Sequence, residues 1–264
     1  MKKLLMGIVN ATPDSFYDGN PQNNLDALLA KCAGYVQDGA DILDIGGEST
    51  RPDAAPVSAQ EELARVLPLI QAVRKRWPQV PVSLDTFKLS VAQAGLDAGV
   101  SIVNDVSGTP DDDMFRLVKA FNAQIVVMHT RGTPQTMQTL TNYKDLLAEV
   151  KEFLLNKINQ AQKCGVAKEN VIIDAGFGFA KTREQNYLLL NHLRDFKDLG
   201  CPMLVGLSRK TFLSQKRETP PKRKAQTLAA NLVALQNGAD IIRVHDVKET
   251  RKIMDFLAEL EANR

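Results

Sequence analysis

Cysteine is scarce: three residues in 264, at Cys32, Cys164 and Cys201. They are scattered, odd in number and without ligand-like spacing. That excludes a disulfide frame or a cysteine zinc site and predicts reduced thiols in a cytoplasmic protein. No apolar run is long enough to span a membrane. The opening Met1–Gly7 stretch has the flavour of a signal peptide, but its apolar character ends at Asn10, too early for an h-region. It reads better as a first buried strand. A strong charge of one sign is also missing, with 33 Lys plus Arg against 31 Asp plus Glu. The near balance argues against general nucleic-acid binding while leaving room for a local cationic pocket. Gly/Ser-rich and Pro-rich linkers, low-complexity tracts and short-period repeats are absent, so one domain over residues 1–264 is expected.

What is present is a regular alternation. Brief apolar runs at Leu4–Val9, Ile42–Ile45, Val82–Leu84, Ser101–Val103, Ile125–Met128, Val171–Ile173, Met203–Val205 and Ile241–Val244 lack period-two patterning, as strands buried on both faces should. Between them lie amphipathic helical patterns, among them Leu25–Val36, Glu61–Arg74, Lys144–Ile158 and Leu228–Leu235. Asn24, Ser58 and Asp111 are expected near helix starts, and Gly39, Gly99 and Gly238 at helix stops. Eight βα units in a chain close to the ~250 residues typical of the architecture predict an α/β fold, a closed (β/α)8 TIM barrel. An open doubly wound sheet is the alternative.

The residues that follow the predicted strands carry the chemistry. In order they are Asn10–Gly19, Gly46–Pro52, Asp85, Asn104-Asp105, His129–Gly132, Asp174–Lys181, Gly206–Lys210 and Arg243–Asp246. The connections at the opposite end carry mainly Gly and generic polar residues. A barrel's active site is built at the carboxyl ends of its strands, so eight polar strand ends predict a ligand pocket there. Simpler readings stand beside this one. Asp85 and Asp105 fit caps or turn braces, His129 fits a packed histidine, and Asp111-Asp112-Asp113 fits a helix start with no further role. Arg209 and Lys210 are harder to dismiss. Two cations placed before a helix start oppose its dipole unless an anion or acceptor-rich ligand neutralises them. Arg243 and His245 alternate about Val244 and share a direction, on the strands where barrels commonly bind phosphate.

There is no phosphate-binding P-loop, no H-E-x-x-H and no G-x-S-x-G elbow. Cysteines avoid the strand ends. What remains is Asp85, Asp174, Asn104, Lys210 and a cationic corner, a set suited to holding a planar heterocycle and a leaving group.

Five blocks identify a resemblance: Met6–Phe16, Asp44–Pro52, Asn104–Gly108, Gly206–Lys210 and Arg243–Val247. In this order they resemble the dihydropteroate synthase family of pterin-binding TIM barrels, and they cover the chain from Met6 to about Thr250. The resemblance implies condensation of 6-hydroxymethyl-7,8-dihydropterin diphosphate with p-aminobenzoate to give 7,8-dihydropteroate and diphosphate, as a step of folate synthesis. It implies that Asp85, Asn104, Asp174 and Lys210 hold the pterin, with Met128 and Gly206 also at the substrate. Asn10 would ligate Mg2+, the one cofactor. Arg243 and His245 would grip the diphosphate as cations. Phe16, Thr50, Arg51, Pro52, Phe179 and Ser208 would surround the aminobenzoate. The first loop, with Asp14, Phe16 and Asp18, would close over the reacting centre. Catalytic roles would fall to Asp18, Arg51, Lys210, Arg243 and His245. The route would be SN1-like, needing no protein nucleophile, and a homodimer with small-molecule substrates and neither nucleic-acid nor membrane partners is implied.

Four positions depart from the family pattern: Asn20, Ala175, Ala180 and Gln226. Ala175 loosens the turn after Asp174, and Ala180 demands ordinary dihedrals where Gly would not. A pterin-binding methyltransferase and a non-catalytic paralogue are the rival readings. The first gives no reason for Thr50-Arg51-Pro52, and the second should show losses at Asn10, Arg51, Lys210 or His245.

Overall fold

Parallel strands need crossover connections, and a right-handed helical crossover returns each strand beside the last. The computed structural model describes residues 2–12, 21–49, 56–108, 110–214 and 218–263, the side chains of 21–23 excepted. Its strands are β1 (Leu4–Asn10), β2 (Ile42–Gly46), β3 (Val82–Asp85), β4 (Ile102–Asp105), β5 (Gln124–Met128), β6 (Val171–Asp174), β7 (Met203–Val205) and β8 (Ile241–Val244). The helices are α1 (Pro21–Gln37), α2 (Ala59–Arg76), α3 (Leu89–Asp97), α4 (Asp112–Ala120), α5 (Leu146–Lys163), α6 (Arg183–Asn191), α7 (Lys224–Gln236) and α8 (Val247–Ala262). Each strand pairs with the next, and β8 closes on β1 through Met6 opposite Arg243, giving the TIM barrel rather than an open sheet.

Local chemistry sets the helix ends. Ser58 accepts from Glu61 N and Asp111 from Met114 N, as N-caps do. Asn24 does not cap: α1 begins three residues earlier, at Pro21, whose fixed φ suits a first helical position. Gly39, Gly99 and Gly238 end their helices in the left-handed region.

Alternation along each strand sorts side chains into two cores. Leu5, Leu43, Leu84, Val103, Val127, Ile173, Val205 and Ile242 face outward and pack beneath the helices. Met6, Ile42, Ile102, Val126, Ile172, Leu204 and Ile241 plug the barrel interior as a separate cluster. Two residues on, the inward positions of β2, β4, β6 and β8 are the polar Asp44, Asn104, Asp174 and Arg243. Several strands run one or two residues further than their apolar pattern, so Asn10, Asp85, Asn104 and Asp174 lie within the ladder rather than beyond it. Their backbones are thereby fixed by sheet pairing.

Candidate functional site

Two residues further along each strand from the apolar plug and from Ser83, the ring of inward positions reads Ile8, Asp44, Asp85, Asn104, Met128, Asp174, Gly206 and Arg243. The register brings neighbours together, with Asp85 opposite Asn104 and Met128 opposite Asp174. All but Gly206 and Arg243 are buried.

Arg243 organises one side of this ring. Its Nε donates to Asp44 Oδ2 at 2.7 Å, and its Nη2 donates to Asp85 Oδ2 at 2.6 Å. Asn104 Nδ2 reaches the Asp44 carboxylate at 3.5 Å. Burial opposes the Arg243 charge, but Asp44 and Asp85 outweigh it and hold its pKa above the usual arginine value. Burial pushes the Asp85 carboxyl up to about 7, against the pull of Arg243 and with the push of Asp44.

The segment after β7 supplies the adjoining corner. Ser208 Oγ accepts from His245 N at 3.2 Å and lies 2.9 Å from His245 Nδ1. Where the Ser208 hydroxyl donates to Nδ1, Nε2 carries the proton. Burial, then Arg209, Arg243 and Lys31, lower the His245 pKa to about 3. Its protein surroundings thus favour the neutral form of His245, where the sequence reading has it as a cation.

Arg209 also departs from expectation. It forms a bidentate pair with Asp246, Nε at 3.1 Å and Nη2 at 2.8 Å, with φ at 59°. Its charge is answered by the protein, and only a short 3₁₀ turn at Thr211–Leu213 follows. Lys210 differs in its partners, a backbone carbonyl and an aromatic ring. Its Nζ donates to Phe177 O and lies 4.3 Å over the Phe179 ring. Burial lowers its pKa to about 8, opposed by Asp174 and assisted by Arg243.

On the segment after β6, Asp174 Oδ1 accepts from Gly176 N at 2.7 Å. Burial raises the Asp174 pKa, while that N–H, Lys210, Lys181 and Arg243 hold it down. Ala180 sits at φ 49°, so it does adopt the left-handed conformation, contrary to the ordinary dihedrals expected of it. Tyr143 Oη donates to Ala180 O at 2.9 Å and anchors it there. His129 is buried against Phe153, ring centroids 5.0 Å apart, as a packed histidine. Asp105 braces its own turn by accepting from Ser107 N at 2.8 Å.

Of the residues anticipated from sequence, Asp85, Asn104, Met128, Asp174, Gly206, Ser208, Lys210, Arg243 and His245 gather at the carboxyl end of the barrel, with Phe179 beside Lys210. Asn10 ends β1, opposite Gly46. Asp14, Phe16, Asp18, Asn20, Thr50, Arg51 and Pro52 lie outside the described residues. Phe179 also lines an apolar cavity of about 250 Å³ with Phe87, Val106, Thr130, Pro134 and Met137. Sequence reasoning gave Asp44 no role. Its signal was its phase, two residues after Ile42 and opposite Ser83, which places it inward with Asp85.

Comparisons with known proteins agree with this geometry. The pterin binding enzyme family matches residues 6–245. The dihydropteroate synthase of Synechocystis sp. is 46% identical over 255 residues, covering 96% of this chain and 88% of that protein. The solved dihydropteroate synthase from Clostridium difficile, in the presence of pteroic acid, has a TM-score of 0.92 at 40% identity, with 98% of this chain and 97% of that chain covered. The Xanthomonas albilineans enzyme with 4-aminobenzoic acid has a TM-score of 0.92 at 40% identity, covering 99% and 94%. With its interior ring, closed barrel and near full-length likeness, the chain belongs to the dihydropteroate synthase family of pterin-binding enzymes.

Proposed function

We propose that the barrel mouth joins 6-hydroxymethyl-7,8-dihydropterin diphosphate to p-aminobenzoate. The observation that carries this is the inward ring: three carboxylates, an amide and Arg243 share one space with Lys210. Asp174 accepts from the 2-amino and ring N–H edge of the pterin, Lys210 donates to its carbonyl and ring nitrogen, and Asn104 and Asp85 complete the contacts. His245, through Nε2–H, and Arg243 hold the diphosphate. The C–O bond to the diphosphate breaks with its electron pair leaving on oxygen, and the electron-rich pterin stabilises the cationic methylene. The arylamine nitrogen then forms the new C–N bond and releases a proton. Charge building on the leaving group is met by fixed donors.

Phe179 and Ser208, together with Phe16, Thr50, Arg51 and Pro52, are assigned to the aminobenzoate, and Asp18 and Arg51 to catalysis. Asn10 offers a hard oxygen donor at the end of β1. Among the described residues no three His, Cys, Asp or Glu side chains form a metal cage. That donor set fits Mg2+, which keeps several waters and rides on substrate phosphate oxygens. When bound, it would neutralise charge on the departing diphosphate.

A single 1–264 barrel domain acting in the cytoplasm as a homodimer completes the proposal. Leu188 on α6, Val233 on α7 and Phe256 and Leu260 on α8 are exposed apolar side chains on successive helices, suited to cover by a second copy. The three cysteines are free thiols, and among the described residues no helix is long and apolar enough to cross a membrane. A single-turnover assay with the pterin diphosphate and p-aminobenzoate, with and without Mg2+, tests the reaction. Stoichiometric dihydropteroate and diphosphate are expected. No coupling, or methyl transfer from a methylated pterin, would sink the proposal.

A further inference from the structure

The segment that delivers Asp174 and Phe179 ends in a lysine for which the reaction has no use. Lys181 is 4% exposed. Its Nζ lies 2.9 Å from His129 Nδ1, 3.0 Å from Gly176 O and 3.1 Å from Phe179 O. With its pKa lowered to about 7, Lys181 is charged on the acid side of neutrality, and there its three protons can serve all three contacts, with His129 accepting at Nδ1. Burial, with Lys181 and Arg131 beside it, lowers the pKa of His129 to about 2 and keeps the ring neutral.

Gly176 links this lysine to the mouth. Its carbonyl accepts from Lys181, while its N–H donates to Asp174 Oδ1 at 2.7 Å. A Cβ at Gly176 would approach His129 O to 1.8 Å, so the segment packs tightly on the end of β5. His129 N in turn donates to Asp174 O at 2.9 Å. We propose that Lys181 is a positioning residue for the pterin: seated on His129, it fixes Gly176 and through it aims the Asp174 carboxylate.

Its charge has a second effect. The groups facing Lys181 are His129 and Arg131 from the segment after β5, Asp174 from β6, and Lys210 from the segment after β7. Burial lowers the Lys181 pKa, and Asp174 pulls it back. Reciprocally, Lys181 helps Lys210 and Arg243 keep the buried Asp174 ionised. Removing that cation moves protonation of Asp174 to higher pH.

The inference rests on the reading of Asp174 as the pterin's carboxylate, and the test separates the two. Binding of 6-hydroxymethylpterin is measured by calorimetry at pH values from about 5 to 7 for wild type, Asp174→Asn, Lys181→Met and Lys181→Arg. Lys181→Met should bind about tenfold more weakly, with its acid limb about one pH unit higher. Lys181→Arg keeps the charge but not the compact three-donor head, so its affinity should fall while its acid limb stays in place. If Asp174→Asn binds like wild type, the site reading itself fails. If Asp174→Asn is impaired but Lys181→Met binds within about threefold of wild type with an unmoved acid limb, only the positioning role is overturned. Should Lys181→Met not fold, Lys181→Arg and His129→Asn carry the test, and wild-type affinity in both overturns it.

Discussion

Arg243 on β8 reaches past β1 to Asp44 on β2, with Nε 2.7 Å from Oδ2 of a carboxylate that is fully buried. The same guanidinium spans to Asp85 on β3. One cation on β8 is thus tied to carboxylates on β2 and β3 inside the barrel. Removing one partner of a buried pair leaves uncompensated charge, which costs about 3–5 kcal/mol. Arg243→Met should lose this much in urea unfolding at neutral pH, and less at acid pH, where the stranded carboxylates can take up protons. A loss under about 1 kcal/mol would show that the pairs contribute no more than surface bridges.

Ser208 is placed to set the tautomer of His245. Ser208→Ala removes the hydroxyl that is 2.9 Å from Nδ1, so Nδ1 can take the proton and Nε2 lose it. A lost hydrogen bond of about 1 kcal/mol corresponds to roughly fivefold weaker diphosphate binding. His245→Ala should weaken diphosphate binding further while barely changing affinity for a pterin without diphosphate. Equal losses for both ligands would place His245 in the ring pocket.

Lys210 gives the site an alkaline limb. Its pKa, lowered by burial from 10.5 to about 8, means that the ammonium facing the pterin discharges as pH rises through about 8. Pterin affinity should fall across that pH, and Lys210→Arg, charged throughout, should lose the limb. Stability moves oppositely. Between about 8 and 10.5 the unfolded chain binds more protons than the folded one, so this residue's contribution to stability rises with pH in that window. A pH-independent pterin affinity up to about pH 10 would contradict the assignment.

Ala180 carries backbone strain at φ 49°. A left-handed conformation costs a non-glycine residue about 1–2 kcal/mol. Ala180→Gly relieves this, offset by about 0.4–1 kcal/mol of extra unfolded-chain entropy. A net gain of about 0.5–1 kcal/mol should appear as a raised urea midpoint. A lower midpoint would mean that the Ala180 methyl, which is buried, contributes more packing than the strain costs.

How far a residue's place was legible depended on whether its determinants were local. Strand cores, the caps at Ser58 and Asp111 and the turn brace at Asp105 follow from neighbours within a few positions, and the structure bears them out. Asn24 falls in the first turn of its helix rather than at the cap, since Pro21 starts the helix three residues earlier. Asp174, Lys210 and Arg243 were legible as mouth residues because a closed barrel puts every strand's carboxyl end in one place.

Charge state and partnership were not legible, because they are set by residues far apart in sequence. Arg209 looked like half of an anion site until β8 brought Asp246 to it. His245 read as a cation, but burial and three neighbouring cations favour its neutral form. Lys181 was one residue of a motif until β5 placed His129 against it. The sequence by itself determined an eight-stranded barrel with its polar residues at one end, since hydrophobic period and turn chemistry are local. Only the tertiary structure decided which of those charges answer one another and which are left for a substrate. Coulombic and desolvation energies depend on distance and burial in three dimensions, not on separation along the chain.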